Sequence, residues 1–301
     1  MTMGRAWAGF WALAVIWGSS FLFIRIGVTE LSTFQLVFIR TGIAAIGLNL
    51  VVFAQGRRWP RDAAGLGDIA FLGVVNTVIP FTLITWGERS VESGLAAVLQ
   101  GTAALFTLVL AHFAFHDERI TPQKAAGLLI GFAGVVVLGT RTSAEGGTAS
   151  AGHHLLGQLA VVAAAFCYAV GGVYSRKAIQ QRLAPIVVAA GTMTVTAVIT
   201  GMLAYVAPMA GGAPPATLMA LTPRVVVAAV TLGVLNTFLA YLIFYSIIAT
   251  LGASRASMVT YAIPAVGLLL GTVFLDEPFD LQLLAGAGMI VGSIGVVNAR
   301  W

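Results

Sequence analysis

Polar side chains that could bind a solute occur inside long apolar stretches of this 301-residue chain. Asn76 and Asn236 occupy the same place in two nearly identical hexapeptides, LGVVNT at 72–77 and LGVLNT at 232–237. Arg40 and Gln100 add a cation and an amide in similarly apolar surroundings. A guanidinium can bind a carboxylate through two parallel hydrogen bonds, and an amide offers both donors and acceptors. This set of side chains favours reversible binding of a small solute.

Aromatic side chains with a polar edge lie in the same kind of stretch. A tyrosine inside a membrane needs a hydrogen-bond partner, so we expect it to face a wet cavity or another helix. Tyr241 and Tyr245 are four residues apart and therefore share one helix face. The candidate substrate-binding residues are Trp17, Arg40, Asn76, Gln100, Tyr168, Asn236, Tyr241 and Tyr261.

Each polar candidate also has a purely structural interpretation. The two asparagines could join helices by hydrogen bonds, which contribute about 0.6 kcal/mol on average inside a membrane. Arg40 could pair with Glu30 or cap carbonyls at a helix end instead of binding substrate. Gln100 has no polar counterpart in the second half of the chain, which favours a role in binding. The sequence leaves these alternatives open.

The composition requires lipid as the main solvent. Fifty-nine per cent of the residues are apolar and only 9% are charged, whereas soluble domains carry about 25% charged residues. About 20 mostly apolar residues cross a bilayer as a helix. Ten stretches qualify, and we predict spans 1 to 10 at 6–28, 33–54, 66–87, 93–115, 122–140, 155–177, 184–207, 222–248, 252–274 and 280–299.

The chain repeats itself after five spans. The hexapeptides fall in predicted spans 3 and 8, and HDERITPQKAAG after span 4 matches LDEPFDLQLLAG after span 9. Because five is odd, the second copy enters the membrane in the opposite sense, as in secondary transporters with a midplane site. We predict an all-α polytopic membrane protein with ten transmembrane helices as two inverted five-helix repeats around a central cavity. The repeats are 1–140 and 155–301, joined by a linker loop at 141–154.

Charge in the connecting loops predicts the orientation. Eleven Lys and Arg residues fall on the side that holds the N-terminus, four fall on the other side, and Arg40 lies within span 2. Cytoplasmic loops carry the excess of positive charge. We therefore predict that both termini are cytoplasmic.

Two prolines and several glycines are expected to shape the helices. Pro80 and Pro264 lie inside spans 3 and 9 and predict helix kinks, because proline removes a backbone hydrogen bond. Pairs of small residues four apart allow helices to approach closely. Gly288 and Gly292 form such a pair in span 10, which we interpret as scaffold together with span 5.

Taken together, these features resemble a known family. WGSSFLFIR in span 1, Arg40 in span 2, the two Asp-Glu-x(8)-Gly segments and the order of the ten spans are similar to the EamA-type drug/metabolite transporter (DMT) superfamily. The resemblance covers nearly the whole chain and implies a transporter, with bacterial aromatic or hydrophobic amino-acid exporters among the similar members. The family often has proline where this chain has Leu105, so we expect the two halves to bend unequally.

The predicted function is export of amino acids or related small neutral or zwitterionic metabolites by alternating access. The alternative within the superfamily is efflux of drugs or other metabolites. A channel or a membrane enzyme is a remote alternative, because the sequence has no repeated ring of charges and no clustered catalytic groups. No Asp or Glu lies in the middle of a predicted span, and His112 is the candidate for proton coupling if export is not simply facilitated diffusion.

The remaining predictions concern partners. We expect no catalytic residue, no cofactor and no metal site, since the chain has one cysteine, Cys167, and scattered histidines. Its positive charge is spread over short loops, which argues against nucleic acid. The expected partners are a small-molecule substrate and the lipid bilayer, with the protein acting as a monomer.

Overall fold

The computed structural model describes residues 2–115, 118–140, 148–176, 182–209 and 215–298. These residues form a bundle of ten helices, α1 Met3–Gly27, α2 Thr33–Ala54, α3 Ala63–Gly87, α4 Ser93–Ala114, α5 Pro122–Gly139, α6 Thr148–Tyr174, α7 Pro185–Met209, α8 Pro223–Leu251, α9 Arg255–Leu275 and α10 Leu281–Asn298. Within the described ranges, α1 to α9 are long and apolar enough to cross a membrane, and α10 is a shorter apolar helix. The ten predicted helices are confirmed, and nine of them have the length and composition of a membrane span.

The predicted linker at 141–154 is shorter than expected. Helix α6 begins at Thr148, inside the stretch that we predicted as loop. Residues 141–147 lie outside the described residues. The segment Gly152–Tyr174 of α6 is long and apolar enough to cross a membrane.

Contacts between loops show that alternate connections lie at opposite ends of the bundle. Arg89, after α3, donates to the Leu31 carbonyl after α1 at 3.4 Å. The Ser90 hydroxyl donates to the His153 carbonyl in the first turns of α6 at 3.1 Å. We call this the Glu88 end of the bundle, after the residue that follows α3.

The opposite end is held by a second set of polar contacts, and we call it the Glu118 end. There Arg176, after α6, contacts Glu118 in the loop between α4 and α5 at 2.8 Å. Arg182, before α7, contacts Asp68 in the first turns of α3 at 3.0 Å. Helix α6 therefore begins at the Glu88 end, whereas α1 ends there. The two five-helix halves are inverted with respect to each other.

The two hexapeptides adopt the same unusual local structure. Each contains a π-helical turn, Val74–Val78 in α3 and Val234–Leu239 in α8. The glycine before each turn packs tightly against the second helix of the other half. A Cβ on Gly73 would lie 2.7 Å from a Val195 methyl carbon in α7, and one on Gly233 would lie 2.7 Å from Ile43 Cβ in α2. The repeated glycine is thus required by close helix packing.

The prolines lie where the helix type changes. Pro80 is in the first turn of the α-helical part Ile79–Gly87, directly after the π-helical turn. Pro264 is in the first turn of Ile263–Leu275, after the 3-10 segment Met258–Tyr261.

Helix α4 is interrupted at the corresponding place, although it has Leu105 instead of proline. It consists of Ser93–Gln100 and Ala103–Ala114, separated by a turn. The Thr102 hydroxyl donates to the Leu99 carbonyl at 2.7 Å and so stabilises that turn. Both α4 and α9 are therefore interrupted, with or without a proline at this place, and unequal bending of the two halves stays a prediction.

Helices α5 and α10 pack against each other along their length. A Cβ on Gly134 would lie 2.9 Å from the Gly286 carbonyl oxygen, and one on Gly286 would lie 2.6 Å from Leu138 Cδ2. By contrast, a Cβ added to Gly288 or to Gly292 would lie more than 4 Å from every atom of the other described helices. The predicted close contact is confirmed for these helices, but the glycine pair that we assigned to it in α10 was wrong.

This packing predicts a difference between two alanine substitutions in one helix. Gly286→Ala should lower the apparent unfolding temperature in detergent, because overpacking a tight contact costs about 1–3 kcal/mol. Gly288→Ala is the matched control and should leave the unfolding temperature unchanged or higher, because alanine favours helix over glycine. Equal effects of the two substitutions would contradict the assigned interface.

Candidate functional site

Arg40 lies at the centre of a polar group in an otherwise apolar part of the bundle. It belongs to α2, and only 8% of its surface is exposed. Its Nε donates to Thr237 Oγ1 of α8 at 2.8 Å. Its guanidinium carbon lies 4.2 Å from the centre of the Phe81 ring of α3. The cation is therefore held by a hydroxyl and an aromatic face.

Two tyrosines from the predicted set lie in the neighbourhood of this group. Tyr168 of α6 and Tyr241 of α8 both lie within electrostatic range of Arg40. The two Nη nitrogens of Arg40 have no hydrogen-bond partner in the part of the chain that the structure describes. A buried guanidinium whose two Nη groups have no partner can bind a planar carboxylate through two parallel hydrogen bonds. Helices α2, α3, α6 and α8 thus form one candidate binding site.

The alternative in which Arg40 pairs with Glu30 does not occur in the described structure. Glu30 lies after α1 at the Glu88 end, where it accepts hydrogen bonds from Thr222 N at 2.8 Å and Thr222 Oγ1 at 2.6 Å. These two hydrogen bonds lower the pKa of the Glu30 carboxyl. Glu30 therefore joins the α1–α2 and α7–α8 connections, and among the described residues no carboxylate forms an ion pair with Arg40.

The π-helical turn of α8 positions Arg40 through Thr237. The Thr237 hydroxyl donates to the Leu232 carbonyl five residues earlier at 2.8 Å, and it accepts from Arg40. A π-helical turn leaves a backbone carbonyl free, and such turns are frequent at functional sites. The equivalent hydroxyl, on Thr77 of α3, is buried and has no partner among the described residues. Only the threonine of the second hexapeptide, Thr237, therefore binds Arg40.

Each hexapeptide asparagine contacts the first helix of the other half. The Asn236 amide donates to Ser19 Oγ at 2.9 Å and to the Ile16 carbonyl of α1. Asn76 packs against Gly171 of α6, where a built Cβ would lie 2.7 Å from Asn76 Cβ. In this conformation the Asn236 amide joins two helices, and its Oδ1 is buried with no partner in the described structure.

The other predicted residues lie in separate places. The ring of Trp17 lies 5.1 Å from the Phe244 ring between α1 and α8, and the Tyr241 and Tyr245 rings are 5.9 Å apart. Gln100 is the last helical residue before the interruption of α4, and its Oε1 is buried. The structure therefore brings Arg40, Tyr168 and Tyr241 together but not the whole predicted set.

Tyr261 lines a different cavity, of about 180 Å³, at the Glu118 end. Helices α4, α9 and α10 form its walls, with Leu105 and Ile294 among the apolar lining residues. The ion pair between Glu118 and Arg176 forms a polar edge. The cavity is smaller than the 300–1,000 Å³ typical of drug-sized ligand sites.

Sequence reasoning missed two groups of the site and one buried carboxyl group outside it. Nothing in the sequence distinguishes Phe81 from the other phenylalanines, of which the chain has 17 in total. Thr237 could have been found, because the hexapeptides share their threonine as well as their asparagine. Glu88 was predicted only as a loop residue, yet its side chain is fully buried at the end of α3.

Comparisons with known proteins agree with this architecture. The chain matches the EamA-like transporter family twice, over residues 6–140 and 155–299. A solved crystal structure covers 99% of this chain and 97% of its own, with a TM-score of 0.67 and 22% identity. That likeness shows the fold.

Several curated relatives are similar over nearly their whole length. An uncharacterized transporter of Archaeoglobus fulgidus is 30% identical, over 97% of this chain and 98% of the relative. A protein of Streptantibioticus cattleyicolor named as a probable terminal-alkyne amino-acid exporter is 29% identical, over 96% and 93%. The uncharacterized inner membrane transporter YedA of Escherichia coli is 26% identical, over 95% and 88%. The chain is a multi-pass membrane protein that belongs to the EamA-like transporter family of the drug/metabolite transporter superfamily.

Proposed function

We propose that the protein exports amino acids or related small zwitterionic metabolites across the inner membrane by alternating access. The observation that carries this proposal is the Arg40 side chain, which is nine-tenths buried and presents unpaired Nη donors where helices of both halves meet. A solute carboxylate would satisfy those donors bidentately. Phe81 and Tyr241 would supply an apolar face for its side chain.

A named relative and the loop charges support this assignment. The S. cattleyicolor relative is named as a probable amino-acid exporter. The excess of Lys and Arg in loops at the Glu118 end favours a cytoplasmic location for that end and for both termini. The 180 Å³ cavity would then lie on the cytoplasmic side, where an exported solute enters.

The packing of the two halves supports alternating access. Helix α2 packs against α7 and α5 packs against α10, each against its own counterpart, while α1 with α8 mirrors α6 with α3. Because these main helix pairs have inverted equivalents, each half could adopt the arrangement of the other. The two units, 1–140 and 155–301, would exchange roles in one monomer.

Competition for uptake into proteoliposomes tests the substrate class. The full-length protein should transport labelled amino acids, and unlabelled amino acids should compete, whereas their amides and esters should not because they lack the carboxylate for Arg40. Efflux of drugs or other metabolites is the alternative. Transport of only quaternary cations or nucleotide sugars would contradict the proposal. A transport rate that saturates with substrate concentration would distinguish a carrier from a channel.

Substitution of Arg40 tests the binding group. Arg40→Lys keeps the positive charge but cannot form two parallel hydrogen bonds with a carboxylate. The KM for amino acids should therefore rise about tenfold or more, equivalent to about 1.4 kcal/mol. Arg40→Gln should abolish measurable uptake. Arg224→Gln is the control, since this arginine is exposed at the start of α8. An unchanged KM in Arg40→Lys would contradict carboxylate binding at this residue.

The amides should separate into packing and binding roles. Asn236→Ala should lower the amount of folded protein, because it leaves Ser19 and the Ile16 carbonyl without their partner. Asn76→Ala and Gln100→Ala should lower transport while the folded amount stays constant. Size-exclusion recovery and uptake rate measure the two effects, and parallel losses of both would assign Asn76 and Gln100 to packing.

A further inference from the structure

Glu88 is a buried carboxyl group without a partner. It follows α3 directly, its side chain is fully buried, and neither carboxyl oxygen accepts a hydrogen bond in the described structure. The nearby Arg25 of α1 donates to the backbone carbonyl of Glu88 and not to its side chain. A buried carboxylate without hydrogen bonds costs several kcal/mol, and such a group avoids this cost by taking up a proton.

The charged groups around Glu88 come from three other segments. Arg25 of α1, Arg40 of α2 and Glu277 after α9 lie within electrostatic range. Burial raises the pKa of the Glu88 carboxyl and the negative Glu277 raises it further, while the two arginines oppose this without compensating it.

Other charged groups of this end have partners of their own. Arg89 donates to the Leu31 carbonyl at 3.4 Å, and Glu92 contacts His154 of α6 at 3.1 Å. Glu277 accepts from the backbone N–H groups of Ser93 at 2.6 Å and Gly94 at 2.9 Å. The carboxyl of Glu88 is thus distinct from its charged neighbours in lacking any hydrogen bond.

Glu88 is covered on the side of α4, and the cavity of about 390 Å³ at this end, between α1 and α8, does not have Glu88 in its lining. Glu277 caps the first turn of α4, and residues 93–99 of that helix are all buried. The repeat counterpart of Glu277 is Glu118, which instead contacts Arg176 beside the 180 Å³ cavity. The first turns of α9 at that end expose Arg255 and Met258. The two equivalent glutamates therefore make different contacts, and separation of Glu277 from α4 would bring water to Glu88.

We propose that Glu88 is a proton-binding site that holds one proton while the Glu88 end is closed and releases it when that end opens. On opening, the carboxyl O–H bond breaks, the proton passes to solvent water, and the carboxylate becomes hydrated. On closing, the reverse uptake of one proton restores the neutral acid. This inference rests on the alternating access in the proposed function but does not depend on which solute is carried.

The direction of the pH dependence follows from linkage. The closed state binds the proton more tightly, so acid favours closure and alkali favours opening. The pKa of Glu88 is higher in the closed state than in the open state. At pH values between these two pKa values, the ratio of open to closed protein should change by up to about tenfold per pH unit.

Thiol accessibility in lipid nanodiscs tests the proposal on the full-length protein without the native cysteine, Cys167→Ser. The reporter is Ala96→Cys, at a fully buried position in α4. Its rate of reaction with a membrane-impermeant maleimide is divided by that of the exposed Thr29→Cys at each pH, which removes the titration of the thiol. We expect the corrected rate to rise with pH.

The variants separate Glu88 from its neighbours. Glu88→Gln imitates the protonated acid and should give a slow rate that is flat with pH, whereas Glu88→Asp should retain the pH dependence. Glu30→Gln and His154→Gln are controls at the same end and should retain it as well. A pH dependence that survives in Glu88→Gln, that disappears in His154→Gln, or that is absent from the parent protein would overturn the proposal. Because this readout involves no transport, failure of the amino-acid assay alone would leave it standing.

Discussion

The structure depends on one constraint, that a polar group surrounded by lipid must find its partner within the protein. The repeated hexapeptide meets this constraint twice. Its glycine lets α3 and α8 approach the second helix of the opposite half, its π-helical turn frees a carbonyl, and its asparagine contacts the first helix of the opposite half. In α8, Thr237 joins the freed carbonyl to Arg40. Packing between halves and the candidate binding site therefore share one motif.

Sequence duplication does not make the two ends of the molecule equal in this conformation. Thr237 holds Arg40, but its counterpart Thr77 has no partner among the described residues. Glu277 caps α4, but its counterpart Glu118 contacts Arg176 instead. Inverted repeats that adopt different conformations are what alternating access requires. In the described structure Glu277 therefore covers the start of α4, whereas the corresponding Glu118 borders a cavity of about 180 Å³.

Helix positions could be predicted well, whereas helix faces could not. Ten apolar stretches of about 20 residues are visible from composition, because a bilayer sets their length. The glycines of α10 show the limit, since Gly286 contacts α5 and Gly288 does not. In a soluble protein, polar residues mark the outer face of a helix. Lipid is as apolar as the protein interior, so this signal is missing and the contacting face of α10 was predicted wrongly.

The sequence by itself determined the membrane location, the ten spans, the inversion of the two halves and the presence of one cation inside a span, because these follow from hydropathy, helix count and repeat. Only the tertiary structure decided that Arg40 is held by Thr237 and Phe81, and that Glu88, which reads as a loop residue, is fully buried. The physical reason is that the partners of a side chain come from helices distant in sequence. Arg40 and Thr237 are separated by 197 residues, and no local pattern encodes their contact.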